Sequence, residues 1–322
     1  MRFQFYSEDL DDVPKLSVDC TVANSIHFSH WQGNATPAEV KADTSTEIVL
    51  NLVASPRRTE LTQGIELVVN NHFDTDGVLS VWSVLNGERA LGFRDLLISA
   101  AEAGDFSEHS SDDGVKVSIA IQGLNQAGSD NDDASPLASF LAGQRVDDDA
   151  RAYDLVLPEV ERLLSDVNAY ETLWRDGWND VSLALDSFAR GESRVVEHEG
   201  ISLITLAPDL RQWLMAISKH ARGEMFLIAT PMAGGWTYRL DYPYYSWAET
   251  VVRPEIVRRD LTTALATLNE RGGDGRWKID NSEMTSAAKF FNADGTLGVS
   301  QLEPDEVLAV LSTKHKVQAT PF

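Results

Sequence analysis

Three side chains that can bind metal ions occur at alternate positions of the segment HFDTDG, residues 72–77. His72, Asp74 and Asp76 supply one imidazole and two carboxylates, a mixture that suits divalent cations of hard or borderline character. In an extended segment, alternate side chains point to the same side of the chain, so these three groups can face one ion. We therefore predict a metal-binding turn at residues 72–77.

Other common ligand loops do not fit this segment. An EF-hand loop with Gly77 at its sixth position would begin at His72 and end at Ser83, so it would lack the bidentate Glu. No G-x-G-x-x-G fingerprint, P-loop or G-x-S-x-G elbow is present in the chain. One structural alternative stays open, namely a hydrogen-bonded turn in which Asp76 only caps the following helix.

The flanking residues predict how the turn is positioned. The apolar run at residues 65–69 indicates a buried strand, and residues 78–85 indicate an apolar helix. Gly77 would allow a tight turn between them. Ligands in open α/β sheets bind at the carboxyl ends of strands, and a helix N-terminus suits a phosphate. The segment therefore has the context of a catalytic turn in an α/β protein.

Further candidate ligands follow other predicted elements. Two short strands within residues 15–30 end near Asp19 and His30, and a helix over residues 93–103 ends at Asp105. Each of these has a structural alternative: a polar residue at a strand end for Asp19, an imidazole at the edge of the core for His30, and ordinary helix termination for Asp105.

The remaining pattern predicts an α/β fold with a mainly parallel sheet in residues 1–125. Residues 126–150, rich in Asp, are interpreted as an acidic linker or mobile insertion. Residues 151–322 are interpreted as a helical connection and a second, smaller α/β domain on the substrate side, facing the first across a cleft. The detailed expectations are a helix start at 36–39, a strand at 115–124, helices at 158–190 interrupted at Gly177, helices at 209–220, 255–268 and 304–311, and hairpins at 194–206 and 284–302.

Composition limits the classes of function and of site that the chain can have. The net charge of −23 disfavours binding to long duplex nucleic acid and favours attraction of divalent cations. The single cysteine, Cys20, excludes an internal disulfide and a cysteine-rich zinc site. Neither a signal-peptide pattern nor a long apolar run is present, so we expect a cytoplasmic protein that does not bind membranes. The sequence does not indicate an oligomeric state.

The segment NHFDTDGVLS, residues 71–80, resembles the first motif of the DHH phosphoesterase superfamily. The resemblance implies that His72, Asp74 and Asp76 bind two divalent cations, commonly manganese, with magnesium or zinc also compatible. It also matches Asp105 to a ligand at the end of a helix. The signature Asp-His-His triplet is absent, and Asp19 and His30 would replace it from upstream. The chain as a whole resembles a bacterial family without an assigned activity.

These observations predict a divalent-metal-dependent hydrolase, with a metal-bound water as nucleophile. The expected substrate is a small phosphorylated molecule such as a nucleotide or short oligonucleotide. Arg239, Tyr245 and Arg253 lie in a segment rich in aromatic residues and arginines and are candidate substrate-binding residues, the alternative being aromatic packing between domains. Two other functions stay open: a non-catalytic DHH-like protein that senses a ligand or binds a partner, and a hydrolase of a non-phosphate bond.

Overall fold

The computed structural model describes residues 1–124, 134–211, 213–271, 273–281 and 284–313. The chain has a mixed α/β fold, as predicted, and divides into two compact units. Unit 1 comprises Met1–Asp180 and Trp247–Pro254, and unit 2 comprises Val181–Ser246 and Glu255–Phe322.

Unit 1 is built around a parallel sheet. Its strands are β1 (Arg2–Phe3), β2 (Lys15–Val18), β3 (Ser25–Phe28) and β4 (Leu67–Val69). Among the described residues they form one four-stranded sheet in the order β1-β4-β2-β3, and every neighbouring pair is parallel. The chain moves from β2 to β3 on one side and returns to β4 on the other. The carboxyl ends of β2 and β4 therefore form a topological switch point, where ligands bind in open α/β sheets.

Helices make up most of the rest of unit 1. They are α1 (Ser45–Ala54), α2 (Arg58–Leu61), α3 (Thr75–Asn86), α4 (Glu88–Leu91), α5 (Arg94–Phe106), α6 (Asp112–Gln122), α7 (Pro136–Ala142), α8 (Asp149–Val156), α9 (Val160–Ser165) and α10 (Glu171–Ala189). Short 3₁₀ turns cover Glu8–Leu10, Leu157–Glu159 and Val167–Tyr170, and a further one, Tyr244–Trp247, begins in unit 2 and ends in unit 1. The apolar helix predicted after residue 77 is α3, and the predicted helix that carries Asp105 is α5.

The predicted strand at 115–124 is wrong, because residues 115–122 belong to helix α6 and the helix ends at Gln122. Ser111 caps this helix by accepting a hydrogen bond from the backbone N–H of Gly114. Val115, Val117, Ile119 and nearly all of their neighbours are buried. A helix that is buried on most of its circumference shows no helical period, so its apolar residues resemble a strand.

Two further local predictions are wrong. Residues 36–39 do not start a helix, because the Thr36 hydroxyl donates a hydrogen bond to the backbone carbonyl of Ser29 instead of capping. Gly177 does not interrupt the helical region, because it lies inside α10. A Cβ at Gly177 would lie 2.6 Å from Leu124 Cδ1, so glycine is explained there by close packing.

The division into units differs from the predicted boundary at residues 126–150. Residues 125–133, which contain the first half of the acidic run, lie outside the described residues. The residues that follow form α7 and α8, which are capped by the side chains of Ser135 and Asp148. The unit boundary instead lies within α10. Acidic composition alone does not distinguish a linker from capped surface helices.

Unit 2 contains a larger and mostly antiparallel sheet. Its strands are β5 (Arg194–His198), β6 (Ile201–Thr205), β7 (Met225–Met232), β8 (Gly235–Asp241), β9 (Arg276–Ile279) and β10 (Ser286–Phe291). In the described part of the unit they form one sheet in the order β5-β6-β7-β8-β10-β9, in which only β6 and β7 are parallel. The hairpin predicted at 194–206 is β5–β6, whereas strand β9 was not predicted.

Three helices of unit 2 pack on this sheet within the described residues: α11 (Trp213–His220), α12 (Thr262–Arg271) and α13 (Pro304–Leu311). The helix predicted at 255–268 begins later, at Thr262. The second arm of the hairpin predicted at 284–302 makes only isolated bridges, at Leu297 and Ser300. No helix in the described part of the chain combines the length and the hydropathy needed to span a membrane.

Lys15 occupies a fully buried position on β2. We predict that its hydrogen bonds stabilise unit 1. Its ammonium donates hydrogen bonds to the carbonyls of Leu10, at 2.7 Å, and Val13, at 3.0 Å. Lys15→Met leaves these carbonyls unpaired, so we expect the free energy of unfolding to fall by about 2–3 kcal/mol. Urea denaturation measures this change, with the exposed Lys219→Met as control. Equal free energies of unfolding for the two variants would contradict the prediction that the hydrogen bonds of Lys15 stabilise the fold.

Candidate metal centre

The carboxyl ends of three parallel strands carry the first candidate ligands. Asp19 directly follows β2, His30 follows β3 by two residues, and His72 and Asp74 follow β4. Asp19 has a φ of 53°, the left-handed backbone conformation that non-glycine residues rarely adopt. Such a strained conformation persists only where the surrounding structure enforces it, and residues of this kind cluster at functional sites.

Four of the predicted ligands form a buried group. His30 Nε2 lies 3.3 Å from Asp19 Oδ1, 3.1 Å from Asp105 Oδ2 and 3.9 Å from Asp76 Oδ2. Each of these residues is buried. Asp76 comes from the first turn of α3 and Asp105 from the last turn of α5, so two helices complete what the strand ends begin.

A second group shares Asp19 with the first. His72 Nε2 lies 3.2 Å from Asp19 Oδ2 and 3.0 Å from Asp74 Oδ2. Asp19 therefore directs one carboxylate oxygen toward each group. The side chains of His72 and Asp74 are 30% and 26% exposed, whereas the side chain of Asp19 is fully buried. The two groups thus form a buried position and an outer position, joined by one carboxylate.

Hydrogen bonds from neighbouring elements orient the carboxylates. Asp19 Oδ1 accepts from Trp31 Nε1, at 3.2 Å, and from Ser45 Oγ, at 2.8 Å. Asp76 accepts from the backbone N–H groups of Ser45 and Thr46, at 2.7 and 2.6 Å. Asp76 therefore lies at the N-terminus of α1, where a negative charge is favourable.

The ring of His30 is oriented by a backbone carbonyl. Its Nδ1 lies 2.7 Å from the carbonyl oxygen of Asp43, and a carbonyl can only accept, so Nδ1 carries the proton. In the neutral ring this leaves the lone pair on Nε2, the arrangement common to metal-binding histidines. Within the described structure, neither His30 Nε2 nor Asp19 Oδ2 makes a well-oriented hydrogen bond, although both atoms are buried. Buried polar atoms without such bonds are unusual, and a cation would satisfy both.

Close packing brings the ends of α3 and α5 together. A Cβ at Gly77 would lie 2.6 Å from Asn70 Nδ2, and one at Gly104 would lie 2.8 Å from the Cβ of Thr75. Gln122 joins the two ends by accepting from Thr75 N, at 2.5 Å, and donating to the carbonyl of Gly104. Gly77 is thus explained by packing and not by a positive φ, in contrast to the sequence-based interpretation.

The crowding of charges perturbs the pKa values of the acids. Burial and the charge of Asp19 raise the pKa of Asp76 to about 7. Burial and the charges of Asp74 and Asp76 raise the pKa of Asp105 well above its usual range. Burial also opposes ionisation of Asp19, but the adjacent imidazoles of His30 and His72 hold its pKa below the usual value.

The two imidazoles respond in the opposite way. Burial disfavours the charged ring of His30, but Asp105 and Asp19 raise its pKa well above the usual value. Burial has the same effect on His72, and Asp74 and Asp19 raise its pKa to about 12. At both rings the neighbouring carboxylates therefore raise the imidazole pKa by more than burial lowers it. The cluster as a whole attracts positive charge, either as protons or as cations.

The donor set fits divalent cations. The two groups together offer four carboxylates and two imidazoles, which suit borderline ions such as Mn²⁺ or Zn²⁺ better than Mg²⁺, which prefers oxygen ligands and retained water. Asp19, His30, Asp76 and Asp105 would hold one cation, and Asp19, His72 and Asp74 another. The sequence-based prediction named all six candidate ligands, and the structure brings their side chains together in these two groups.

A comparison with protein families matches residues 1–311 to a family described as "Family of unknown function (DUF6687)". The chain belongs to this family. The matched residues of this DUF6687 protein include every candidate ligand of both groups. A search of curated proteins found no match for the chain.

The predicted substrate-binding residues of this DUF6687 protein belong to different units. Arg253 belongs to unit 1, where its guanidinium pairs with Asp43, Glu102 and Glu108. Arg239 is buried in β8 of unit 2 and donates to Asp241 at 3.0 Å. Tyr245 is half-buried in the 3₁₀ turn at Tyr244–Trp247. The carboxylate contacts explain both arginines as parts of the fold, so we assign them no substrate contact.

Sequence reasoning missed the residues that orient the ligands, which are Trp31, Asp43, Ser45, Thr46 and Gln122. A signal was available only for the start of α1, because Thr44 and Glu47 resemble a helix cap. Gln122 could not be found, because its segment was interpreted as a strand. Asp43 acts on His30 through its backbone carbonyl, and no residue type marks such a contact.

Proposed function

We propose that this protein is a divalent-metal-dependent hydrolase, a phosphoesterase acting on a small phosphorylated substrate such as a nucleotide or short oligonucleotide. One observation carries the proposal: the carboxylate of Asp19 faces two ligand groups, one oxygen toward each. A carboxylate in this position can bridge two cations, and bridged pairs of cations are typical of enzymes that hydrolyse phosphate esters. When bound, the cations would activate a water molecule and neutralise negative charge on the phosphate.

The residues of the chain have distinct tasks in this proposal. His30, Asp76 and Asp105 hold the buried position, which is closed to substrate because their side chains are almost completely buried. His72 and Asp74 hold the outer position and are partly exposed, so the substrate approaches from their side. The N-terminus of α3, which follows Asp74 directly, favours a phosphate at that opening.

Mn²⁺ is the cation that we expect, because the outer and buried positions each combine carboxylates with an imidazole. The net charge of −23 favours a small substrate over a long polyanion, because a polymer would be repelled along its length.

A second candidate function is a non-catalytic protein that keeps this fold and senses a ligand or binds a partner. It is favoured by the hydrogen bonding of Asp76, both of whose oxygens accept backbone N–H groups of α1. Asp74 Oδ1 similarly accepts from Gly77 N and caps α3. Such contacts would be kept in a protein that uses the cluster only for stability.

Metal content and hydrolysis distinguish the two functions. We expect the purified protein, loaded with Mn²⁺, to bind two equivalents and to hydrolyse a generic phosphomonoester or phosphodiester. Asp74→Ala should retain about one equivalent and lose at least about 100-fold in kcat/KM, because the outer position is incomplete. The matched control is Asp113→Ala, since Asp113 is an exposed carboxylate paired with Lys116 on α6.

Each outcome has a separate meaning. Absence of bound metal, with no thermal shift on adding Mn²⁺, Mg²⁺ or Zn²⁺, would contradict the metal site. Two bound equivalents without hydrolysis of either phosphoester would contradict the proposal of a phosphoesterase. The remaining functions would then be hydrolysis of another kind of bond and sensing of a ligand. Equal activity of Asp74→Ala and Asp113→Ala would show that the ligand cluster takes no part in hydrolysis.

A further inference from the structure

Residues Trp247–Pro254, which we call the 247–254 segment, belong to unit 1 although the chain on both sides of them belongs to unit 2. A short segment that joins another compact unit is held there by its own contacts. The contacts of this segment reach the loop that carries His30 and the end of helix α5, which carries Asp105.

The first set of contacts surrounds His30. The backbone N–H of Glu249 donates to the carbonyl of His30 at 2.7 Å. The ring of Trp247 meets the ring of His30 edge-on, with centroids 4.9 Å apart. The Glu249 carboxylate accepts from Gly33 N at 2.8 Å and pairs with Lys41 at 3.2 Å, which fixes the loop that follows His30.

The second set acts on His30 through Asp43. The Asp43 carboxylate accepts from the backbone N–H groups of Val251, Val252 and Arg253 and from Arg253 Nη1. The backbone carbonyl of the same residue orients the His30 ring. The segment therefore holds Asp43 by its carboxylate, and the backbone carbonyl of Asp43 in turn orients the imidazole of His30.

The third set surrounds Asp105. The Arg253 guanidinium pairs with Glu102 at 2.7 Å and donates to Glu108 from Nε at 3.0 Å. It also lies over the ring of Phe106, 4.9 Å from the centroid. These residues flank Asp105 on the last turn of α5 and just beyond it, so Arg253 fixes the backbone that presents this carboxylate.

His30 and Asp105 both belong to the buried group, whereas His72 and Asp74 are presented by the turn between β4 and α3. We infer that the 247–254 segment positions His30 and Asp105 and thereby controls occupancy of the buried metal position separately from the outer one. Arg253 is the principal positioning residue, since its guanidinium joins Asp43 to the end of α5. This inference rests on the proposed function, because it requires that the cluster binds metal.

The test is a titration of the full-length, metal-free protein with Mn²⁺. Calorimetry measures the affinity and number of bound ions, and electron paramagnetic resonance detects magnetic coupling between them. The wild-type protein is expected to bind two equivalents and to show magnetic coupling between neighbouring ions. Arg253→Met is expected to bind the second equivalent about 10–100-fold more weakly and to lose the coupling signal, with the first equivalent unchanged. Arg253→Lys keeps one charge and should restore part of the affinity.

Two comparisons assign the affected position. In an Asp74→Ala background only the buried position remains, so adding Arg253→Met should weaken the remaining equivalent. Arg57→Met is the control, because Arg57 is another arginine of unit 1 that pairs with more than one carboxylate, in its case those of Glu39 and Glu60. If Arg253→Met does not fold, as judged by circular dichroism, Glu249→Gln provides a milder change in the same segment and should weaken the same equivalent.

The outcomes separate this inference from the proposed function. A wild-type protein that binds no Mn²⁺ would overturn the proposed function and the inference with it. Two equivalents of unchanged affinity in Arg253→Met would overturn the inference alone. Equal weakening of both equivalents would also overturn it, because that result indicates general destabilisation instead of positioning.

Discussion

Replacing Asp19 by asparagine is expected to remove both bound cations and to lower hydrolysis by on the order of 10³-fold. Asparagine has nearly the same shape, and its amide oxygen can still accept from Trp31 and Ser45. It lacks the charge and the second anionic oxygen that faces His72. The single substitution therefore disables the buried and the outer position together, which no other ligand substitution should do.

The measurements are metal content after dialysis against limiting Mn²⁺, and kcat/KM on the phosphoester that the wild-type protein hydrolyses. Asp74→Asn is the comparison, since it changes one carboxylate of the outer position only. Thermal melting in a chelator controls for folding. We expect the Asp19 variant to melt cooperatively but at a lower temperature than the wild type there, because it loses the ion pairs with His30 and His72 that hold the pKa of Asp19 below its usual value. Two retained equivalents in Asp19→Asn would show that Asp19 does not join the two groups.

Sequence patterns located the site because polar residues interrupt apolar runs where strands end. Asp19, His30 and His72 each follow a short apolar strand, and parallel strands end at the same edge of a sheet. Alternation and the motif resemblance added Asp74 and Asp76. Asp105 was found because it ends a predicted helix and because the motif resemblance matches it to a ligand in that position. The prediction that these residues bind metal stays a prediction, although the structure brings their side chains together.

Other features depended on contacts between distant parts of the chain. Asp76 was open to two interpretations, as a ligand or as the cap of its own helix. In the structure Asp74 caps α3, and Asp76 instead accepts from the N-terminus of α1, about thirty residues earlier. Local spacing could not show this, because the hydrogen bonds join two elements that meet only in the folded unit.

Burial also concealed the type of one element. Helix α6 carries Gln122, which joins the ends of α3 and α5, yet its sequence alternates like a strand. Alternation indicates a strand only when one face is exposed, and α6 is buried on most sides. The return of residues 247–254 to unit 1 was equally invisible, since the tyrosines and arginines near it suggested a substrate surface and not a set of ion pairs.

Binding of Mn²⁺ is expected to release protons and to strengthen with pH. Asp76, with a pKa raised to about 7, is partly protonated near neutral pH, and burial together with the charges of Asp74 and Asp76 raises the pKa of Asp105 well above its usual range. His72, with a pKa raised to about 12, also carries a proton that must leave before its nitrogen can bind metal. We therefore expect at least about one proton released per cation, and an apparent association constant that rises about tenfold per pH unit between about pH 6 and 8.

The sign of the stability change follows from the same groups. Asp76 binds its proton more tightly in the folded chain than in the unfolded chain, where its pKa is about 3.9. The metal-free protein is thus stabilised by this proton below about pH 4 and loses that contribution as pH rises through about 7. The cation replaces the proton, so the increase in Tm on adding Mn²⁺ should grow from about pH 5.5 to pH 8.

Calorimetry in two buffers with different enthalpies of ionisation measures the released protons directly, and thermal melting across the pH range measures the stability. Asp19→Asn is the control, since a variant without bound cations should show no pH-dependent shift on adding Mn²⁺. An association constant independent of pH would show that, without metal, the carboxylates are already ionised and His72 is already neutral. In that case Lys and Arg charges in unit 1, or ordered water, would have to offset the repulsion among Asp19, Asp76 and Asp105, and the cluster would not need a cation for its charge balance.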